Sequence, residues 1–234
     1  MPLPSIIPLA AARALILHTQ LLSIPQSQQS TPTPADIYRV VEQLGCVQID
    51  TLQKVARSAH IIVWSRLGNY DKADLNRLAY EEPRQIFETW FHAACYIPWS
   101  EYRWRLPNMR RVLNGAANRP DSWMATHRNS AEVEQVMEFM RTKGAVRLSD
   151  FPRTEKRANA WWDWGPAKAA LEALFATGDV MVTKRESTFT RVYDLTERVL
   201  PKNVDRREPT WEELALHIGT KREGLWLVHP LPSR

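Results

Sequence analysis

Residues 165–195 read GPAKAALEALFATGDVMVTKRESTFTRVYDL, and the change of period inside them decides the fold. Pro166 after Gly165 supplies the fixed φ of a first helical turn, and Leu171, Leu174 and Phe175 recur at helical spacing. Gly178 is the residue type that stops a helix in a left-handed turn. Val180 and Val182 then alternate as a strand does, a turn follows around Lys184 to Ser187, and Phe189, Val192 and Tyr193 return the chain. Upstream, Val133, Val136, Met137 and Met140 form one apolar stripe that Gly144 ends, and a short helix is expected after Ser149. Three helices followed by a β-hairpin is the winged-helix order, a variant of helix-turn-helix, so residues 130–201 are expected to form one such domain.

Outward from this unit, Gly, Pro and Asn between residues 116 and 129 mark a linker, and residues 1–115 read as a second winged-helix-like domain. Its clearest helix follows the polar, proline-punctuated stretch from Gln26 to Pro34. Thr33 is placed as N-cap, Pro34 as the first helical residue, Asp36 as the acid of a capping box and Gly45 as the left-handed stop. Ile37, Val40, Val41 and Leu44 supply the buried stripe between them. Residues 6–22 are expected to form an amphipathic helix, having no basic leader for a signal peptide. Asp71 to Leu78 and Glu82 to Cys95 also read as helices, and Trp99 to Arg111 mixes aromatics with Arg103, Arg105, Arg110 and Arg111. Residues 202–234 read as a tail that resembles a truncated third unit. The expected class is mainly α with small β-hairpins (α+β), built from tandem winged-helix units.

The 234 residues are 44% hydrophobic and include ten tryptophans, enough for two compact cores, and the net charge of +5 favours an acidic partner such as nucleic acid. Cys46 and Cys95 sit among apolar neighbours without C-x-x-C spacing. Buried free thiols fit them better than a disulfide or a zinc site, and a reducing cytoplasm fits such thiols. No apolar run is long enough to span a membrane.

After Gly45 the run Cys46-Val47-Gln48-Ile49-Asp50 alternates as an extended segment does. Val47 and Ile49 then face inward while Gln48 and Asp50 project together on the other side, an amide beside a carboxylate. A helix would set them about 200° apart. One reading makes this pair chemical; the other makes Asp50 the N-cap of the next helix.

In a winged helix the third helix commonly enters the major groove while the hairpin touches the backbone beside it. Lys168 on that helix and Lys184, Arg185 and Arg191 on the hairpin are candidate phosphate contacts, against the alternative of a solvated wing in a domain that only packs on its neighbour. Trp161, Trp162 and Trp164 suit stacking on bases or wedging into a groove, although such tryptophans more often fill a core or a domain junction.

The segments VQIDTLQKVARSAHIIVWSR (47–66), FETWFHAACYIP (87–98) and the stretch from Trp161 to Pro201 closely resemble the bacterial crosslink-repair DNA glycosylases of the YcaQ-like type, in the superfamily of the azinomycin-resistance glycosylase. The resemblance runs from about residue 8 to 205, with relatives continuing into a third winged-helix unit. It implies tandem winged-helix units around duplex DNA carrying alkylated or cross-linked bases, no cofactor, no metal, a monomer, and a cytoplasmic, nucleoid-associated location. The family's Gln-apolar-Asp signature falls on Gln48, Ile49 and Asp50, the aspartate branch, which is associated with N7-alkylguanine and nitrogen-mustard crosslinks. Arg57 and His60 follow as DNA contacts; relatives often carry two adjacent histidines where this chain has Ala59 and His60. His92 suits a structural hydrogen bond.

A sparse site suits such chemistry. An N7-alkylated guanine already carries positive charge, so the protonating acid of paired-carboxylate sugar hydrolysis is less needed. Asp50 would stabilise the oxocarbenium-like sugar and act as general base, and Gln48 would hold the water. Two other classes stay open: a non-catalytic winged-helix DNA binder or regulator, and a protein using its wings for self-association.

Overall fold

The computed structural model describes residues 8–23, 31–50, 53–91, 93–113, 131–151 and 165–225. The first unit opens on α1 (Leu9–Thr19) and α2 (Pro34–Leu44). In α2 the capping chemistry is local: the Asp36 carboxylate accepts the Thr33 N–H at 2.9 Å and the Thr33 hydroxyl at 2.7 Å. Gly45 ends α2 at φ 72°, a conformation a Cβ would oppose. Ile37, Val40 and Val41 are its buried residues, as the spacing requires. In α1, by contrast, the successive residues Leu15, Ile16 and Leu17 are all exposed, so this helix buries no single apolar stripe.

Beyond Gly45 come β1 (Val47–Gln48), α3 (Ser58–Leu67), α4 (Lys72–Tyr80), β2 (Ile86–Trp90), β3 (Ala94–Pro98), a 3-10 turn and α5 (Tyr102–Leu113). Asp71 caps α4, accepting the Ala73 N–H at 2.9 Å. The strands form one antiparallel sheet in the order β1-β3-β2, with Gln48 opposite Cys95 and Glu88 opposite Tyr96. The expected helix over Glu82 to Cys95 is therefore a hairpin. Ile86 and Phe87 are both buried but enter different hydrophobic clusters, which successive residues on opposite faces of a strand can do and neighbours on one helical stripe cannot.

The second unit repeats the plan: α6 (Ala131–Lys143), β4 (Val146–Arg147), a 3-10 turn over Leu148–Asp150, α7 (Pro166–Thr177), then β5 (Val180–Arg185), β6 (Arg191–Leu195) and the short α8 (Thr196–Val199). Its sheet order, β4-β6-β5, matches the first: the short strand pairs with the second strand of the hairpin in both. Gly178 ends α7 at φ 79°, and a Cβ there would sit 2.6 Å from Sδ of Met109 on α5, so the units meet closely. The linker at 116–129, Trp161, Trp162, Trp164 and His92 lie outside the described residues.

Three hydrophobic clusters result. One fills each unit, and the third joins them, setting Phe87, Cys95, Ile97, Trp99 and Tyr102 of the first against Met181, Val199 and Leu200 of the second. Within the stretch read as a tail, α9 (Trp211–Leu225) lies back on α5: the His217 ring stacks on Trp104 with centroids 4.0 Å apart, and its Nε2 is 2.9 Å from Glu101 Oε2. Among the described residues no helix is long and apolar enough to cross a membrane.

Candidate active site and nucleic-acid interface

Alternation along the strand places the central pair. Val47 and Ile49 are buried, while Gln48 and Asp50, both half-buried, turn to the other side, where Gln48 Nε2 donates to Asp50 Oδ1 at 3.0 Å. Ile49 N–H extends the pairing by donating to the Ala94 carbonyl at 2.8 Å. The backbone is then clamped by a residue that spacing did not single out. The Ser58 hydroxyl donates to the Gln48 carbonyl at 2.9 Å and accepts the Asp50 N–H at 3.1 Å. Ser58 is the first residue of α3, whose N-cap is Arg57. Asp50 is therefore not the cap of the following helix, and that reading of its carboxylate falls away.

Arg57 leads from this pair into a cleft of about 500 Å³ between α3, α4 and the β5–β6 hairpin, lined by Arg57, His60, Tyr80, Lys184, Arg185 and Phe189 among others. Gln48 and Asp50 stand beside this cleft rather than in its lining. Four basic candidates from the sequence thus converge, from segments more than a hundred residues apart. The Arg57 guanidinium lies 3.5 Å from the centre of the Phe189 ring, and Arg185 lies 4.0 Å from it on its own side of the contact. Phe189 holds φ 66°, unusual for a bulky side chain, and packs against the core of the first unit. The hairpin tip is thereby fixed over the start of α3. His60 Nδ1 is 2.8 Å from the Tyr70 hydroxyl; burial first, then the charges of Lys72 and Arg57, hold its pKa below the ordinary 6.5.

Arg185 and Arg191 have a different task from the one expected. Glu88, with a fully buried side chain on β2, accepts Arg185 Nε at 2.6 Å and Nη2 at 2.7 Å, takes the Tyr80 hydroxyl, and has Arg191 Nε at 3.5 Å. Arg191 Nη1 also donates to Glu172 at 3.0 Å. Burial opposes the Arg185 charge, but the hydrogen bonds and charge of Glu88 outweigh it, and its pKa ends above the ordinary value. With side chains only 6% and 15% exposed, these arginines bind the two units to each other and are set aside as phosphate contacts.

The reading of the third helix is also corrected. Every residue of α7 from Ala169 to Ala176 is buried, so its body is core and only its first turn, with half-buried Lys168, lies nearer the surface. Lys168 does not line the cleft, whereas Lys184 is exposed at its rim. Glu88 and Glu172 carried a visible signal, an acid inside an otherwise apolar run. Among the described residues no group of His, Cys, Asp and Glu is arranged to hold a metal ion.

The family model for AlkZ-like DNA glycosylases matches residues 41–222. Among solved structures, the Streptomyces sahachiroi DNA glycosylase AlkZ superposes with a TM-score of 0.57 at 17% identity, covering 91% of this chain and 56% of that protein. That likeness establishes a shared fold, and this chain spans little more than half the length of that relative. The match runs from the end of α2 through the second unit and takes in the Gln48–Asp50 edge: the chain belongs to the AlkZ-like DNA glycosylase family.

Proposed function

We propose that this protein is a monofunctional DNA glycosylase that hydrolyses the bond between an alkylated purine, N7-alkylguanine above all, and its deoxyribose, with interstrand crosslinks of the same chemistry as further substrates. The observation that carries the reading is the Gln48–Asp50 contact at 3.0 Å, on a clamped strand edge beside a cleft bearing Arg57, His60 and Lys184. We read both repeated units as winged helices.

In this scheme the C1′–N9 bond breaks first, and its electron pair enters the purine and neutralises the charge created by alkylation at N7. The Asp50 carboxylate faces the oxocarbenium-like sugar left behind and offsets its charge. Water attacks C1′ and gives its proton to Asp50, leaving a free base and an abasic site. Gln48 Nε2 gives one of its two N–H groups to Asp50, which orients the amide that would hold the water. Arg57 and Lys184 neutralise backbone phosphates on either side, with Lys168 at the first turn of α7 as a further contact. His60, kept neutral by burial, is suited to hydrogen bonding rather than to charge.

The test is to incubate the protein with N7-methylated duplex and separate the products. The proposal expects free N7-methylguanine and alkali-labile abasic sites. Tight, salt-dependent duplex binding with no released base would replace it with the non-catalytic binder, and no duplex binding at low salt would remove both.

A further inference from the structure

Cys46 and Cys95 are both free thiols, and neither takes part in the chemistry at Gln48 and Asp50. The strand register nevertheless brings them together. Gln48 pairs with Cys95 across β1 and β3, and residues directly opposite in an antiparallel pair share one face of the sheet. Cys46, two positions before Gln48, falls on that same face. The packing agrees with the register. Cys95 is fully buried in the cluster that joins the two units and half-buried Cys46 packs against it, whereas Val47 and Tyr96 enter the core of the first unit on the other face. The Cys46 and Cys95 thiols are close enough to share a hydrogen bond.

Two thiols in contact differ chemically from one buried thiol. The thiolate is the nucleophile, so reactivity belongs to a cysteine that is partly accessible and sits near a cation. Cys46 meets both conditions. Its hydrogen bond with Cys95, and after it the charge of Arg105 on α5, hold the Cys46 thiol below the ordinary value against the effect of burial. Cys95 is pushed well above it by the same hydrogen bond and by burial, so it keeps its proton. Arg105 is itself fixed in place: its Nη2 donates to the Trp90 carbonyl at 3.1 Å, and its guanidinium stands 4.4 Å from the centre of the Phe91 ring. A half-exposed thiolate former beside a cation, with a second thiol in contact, is the arrangement in which oxidation stops at a reversible product.

We propose that Cys46 and Cys95 form a peroxide-responsive pair, in which Cys46 reacts with a hydroperoxide and Cys95 resolves the product as a reversible disulfide between β1 and β3. In the first step the Cys46 sulfur attacks one oxygen of the hydroperoxide and the O–O bond breaks. The departing oxygen takes up the proton that Cys46 has lost, and Cys46 becomes a sulfenic acid. In the second step the Cys95 sulfur attacks the Cys46 sulfur, the S–O bond breaks, and the hydroxide leaves as water with the Cys95 proton. The two thiols together lose two electrons, and one hydroperoxide gains them. Closing the pair to the bond length of about 2.05 Å falls chiefly to Cys46, which stands just outside the paired residues of β1. The bond lies next to Gln48, the register partner of Cys95, so the state of the pair is felt at that strand edge. The proposal does not rest on the glycosylase reading.

The experiment treats the reduced full chain with hydrogen peroxide, removes the excess, unfolds the protein in guanidinium chloride with N-ethylmaleimide, and measures intact and peptide masses. The chain has only two cysteines, so a disulfide within it joins this pair. The parent should lose about 2 Da, leave neither cysteine open to the maleimide, and regain both thiols with dithiothreitol. It should do so at least about tenfold faster than the same chain oxidised while unfolded, because the fold supplies both the contact and the cation. Cys95→Ala should stop at a Cys46 sulfenic acid that dimedone traps, with circular dichroism verifying that the variant is folded. Any of three results for the parent overturns the proposal: both cysteines still take the maleimide, the disulfide joins two chains, or folding brings no gain in rate. The parent alone decides the matter if the variant does not fold.

Discussion

At the scale of single residues, the legible part of the site was the part set by local geometry. Alternation alone put Gln48 beside Asp50, because strand period acts over two residues. It could not reach Ser58, whose hydroxyl bridges eight and ten residues back, nor Glu88, which meets Arg185 across 97 residues. An arginine on a hairpin has the same composition whether it faces a phosphate or a buried carboxylate, and only the fold decides. Ser58→Ala should cost about 1–2 kcal/mol in urea unfolding, by orphaning two half-buried backbone groups, and should slow base release while leaving duplex affinity unchanged. An unaltered release rate would show that the clamp is dispensable. Glu88→Ala leaves Arg185 and Arg191 buried without their carboxylate, and a loss of about 3–5 kcal/mol is expected; a loss under about 1 kcal/mol would mean the arginines reach solvent instead. For His60 the pKa is lowered in the folded protein, so unfolding takes up protons. Its contribution is complete above the ordinary 6.5 and is lost as pH falls from there through the depressed folded value. His60→Gln should flatten stability over that interval, measured by unfolding at a series of pH values.

At the scale of elements, helices with their own punctuation are legible in the sequence. Thr33, Pro34, Asp36 and Gly45 bound α2, and Gly165, Pro166 and Gly178 bound α7, because caps act within a turn. The stretch from Glu82 to Cys95 reads as a helix in the sequence because a strand buried on both faces shows no alternation of polarity, and only its packing distinguishes it. The same burial keeps the body of α7 out of any groove, so in the proposed reading contact with a duplex falls to the hairpin, the start of α3 and the first turn of α7. Lys184→Ala should therefore weaken duplex binding uniformly across sequences and reduce the slope of log affinity against log salt by about one, whereas the analogous change at buried Arg191 should act through stability. Titrations at several salt concentrations separate the two, and an unchanged slope for Lys184→Ala would remove the hairpin from the interface.

At the scale of the whole molecule, two repeats of one plan are joined by the Glu88 ion pairs, by the third hydrophobic cluster, and by Phe189 laid against Arg57. Such a junction makes the repeats one cooperative body, so tryptophan fluorescence and far-UV circular dichroism should report coincident unfolding transitions. It also fixes the hairpin that carries Lys184 over the start of α3, beside the clamped strand edge, the arrangement on which excision would depend. The most direct measurement of that dependence is the single-turnover rate of N7-methylguanine release by Asp50→Asn, with duplex affinity determined in parallel. Loss of the carboxylate charge at constant shape should slow release at least about 100-fold with affinity nearly unchanged, and release as fast as that of the parent would contradict the assignment of Asp50 to the chemistry.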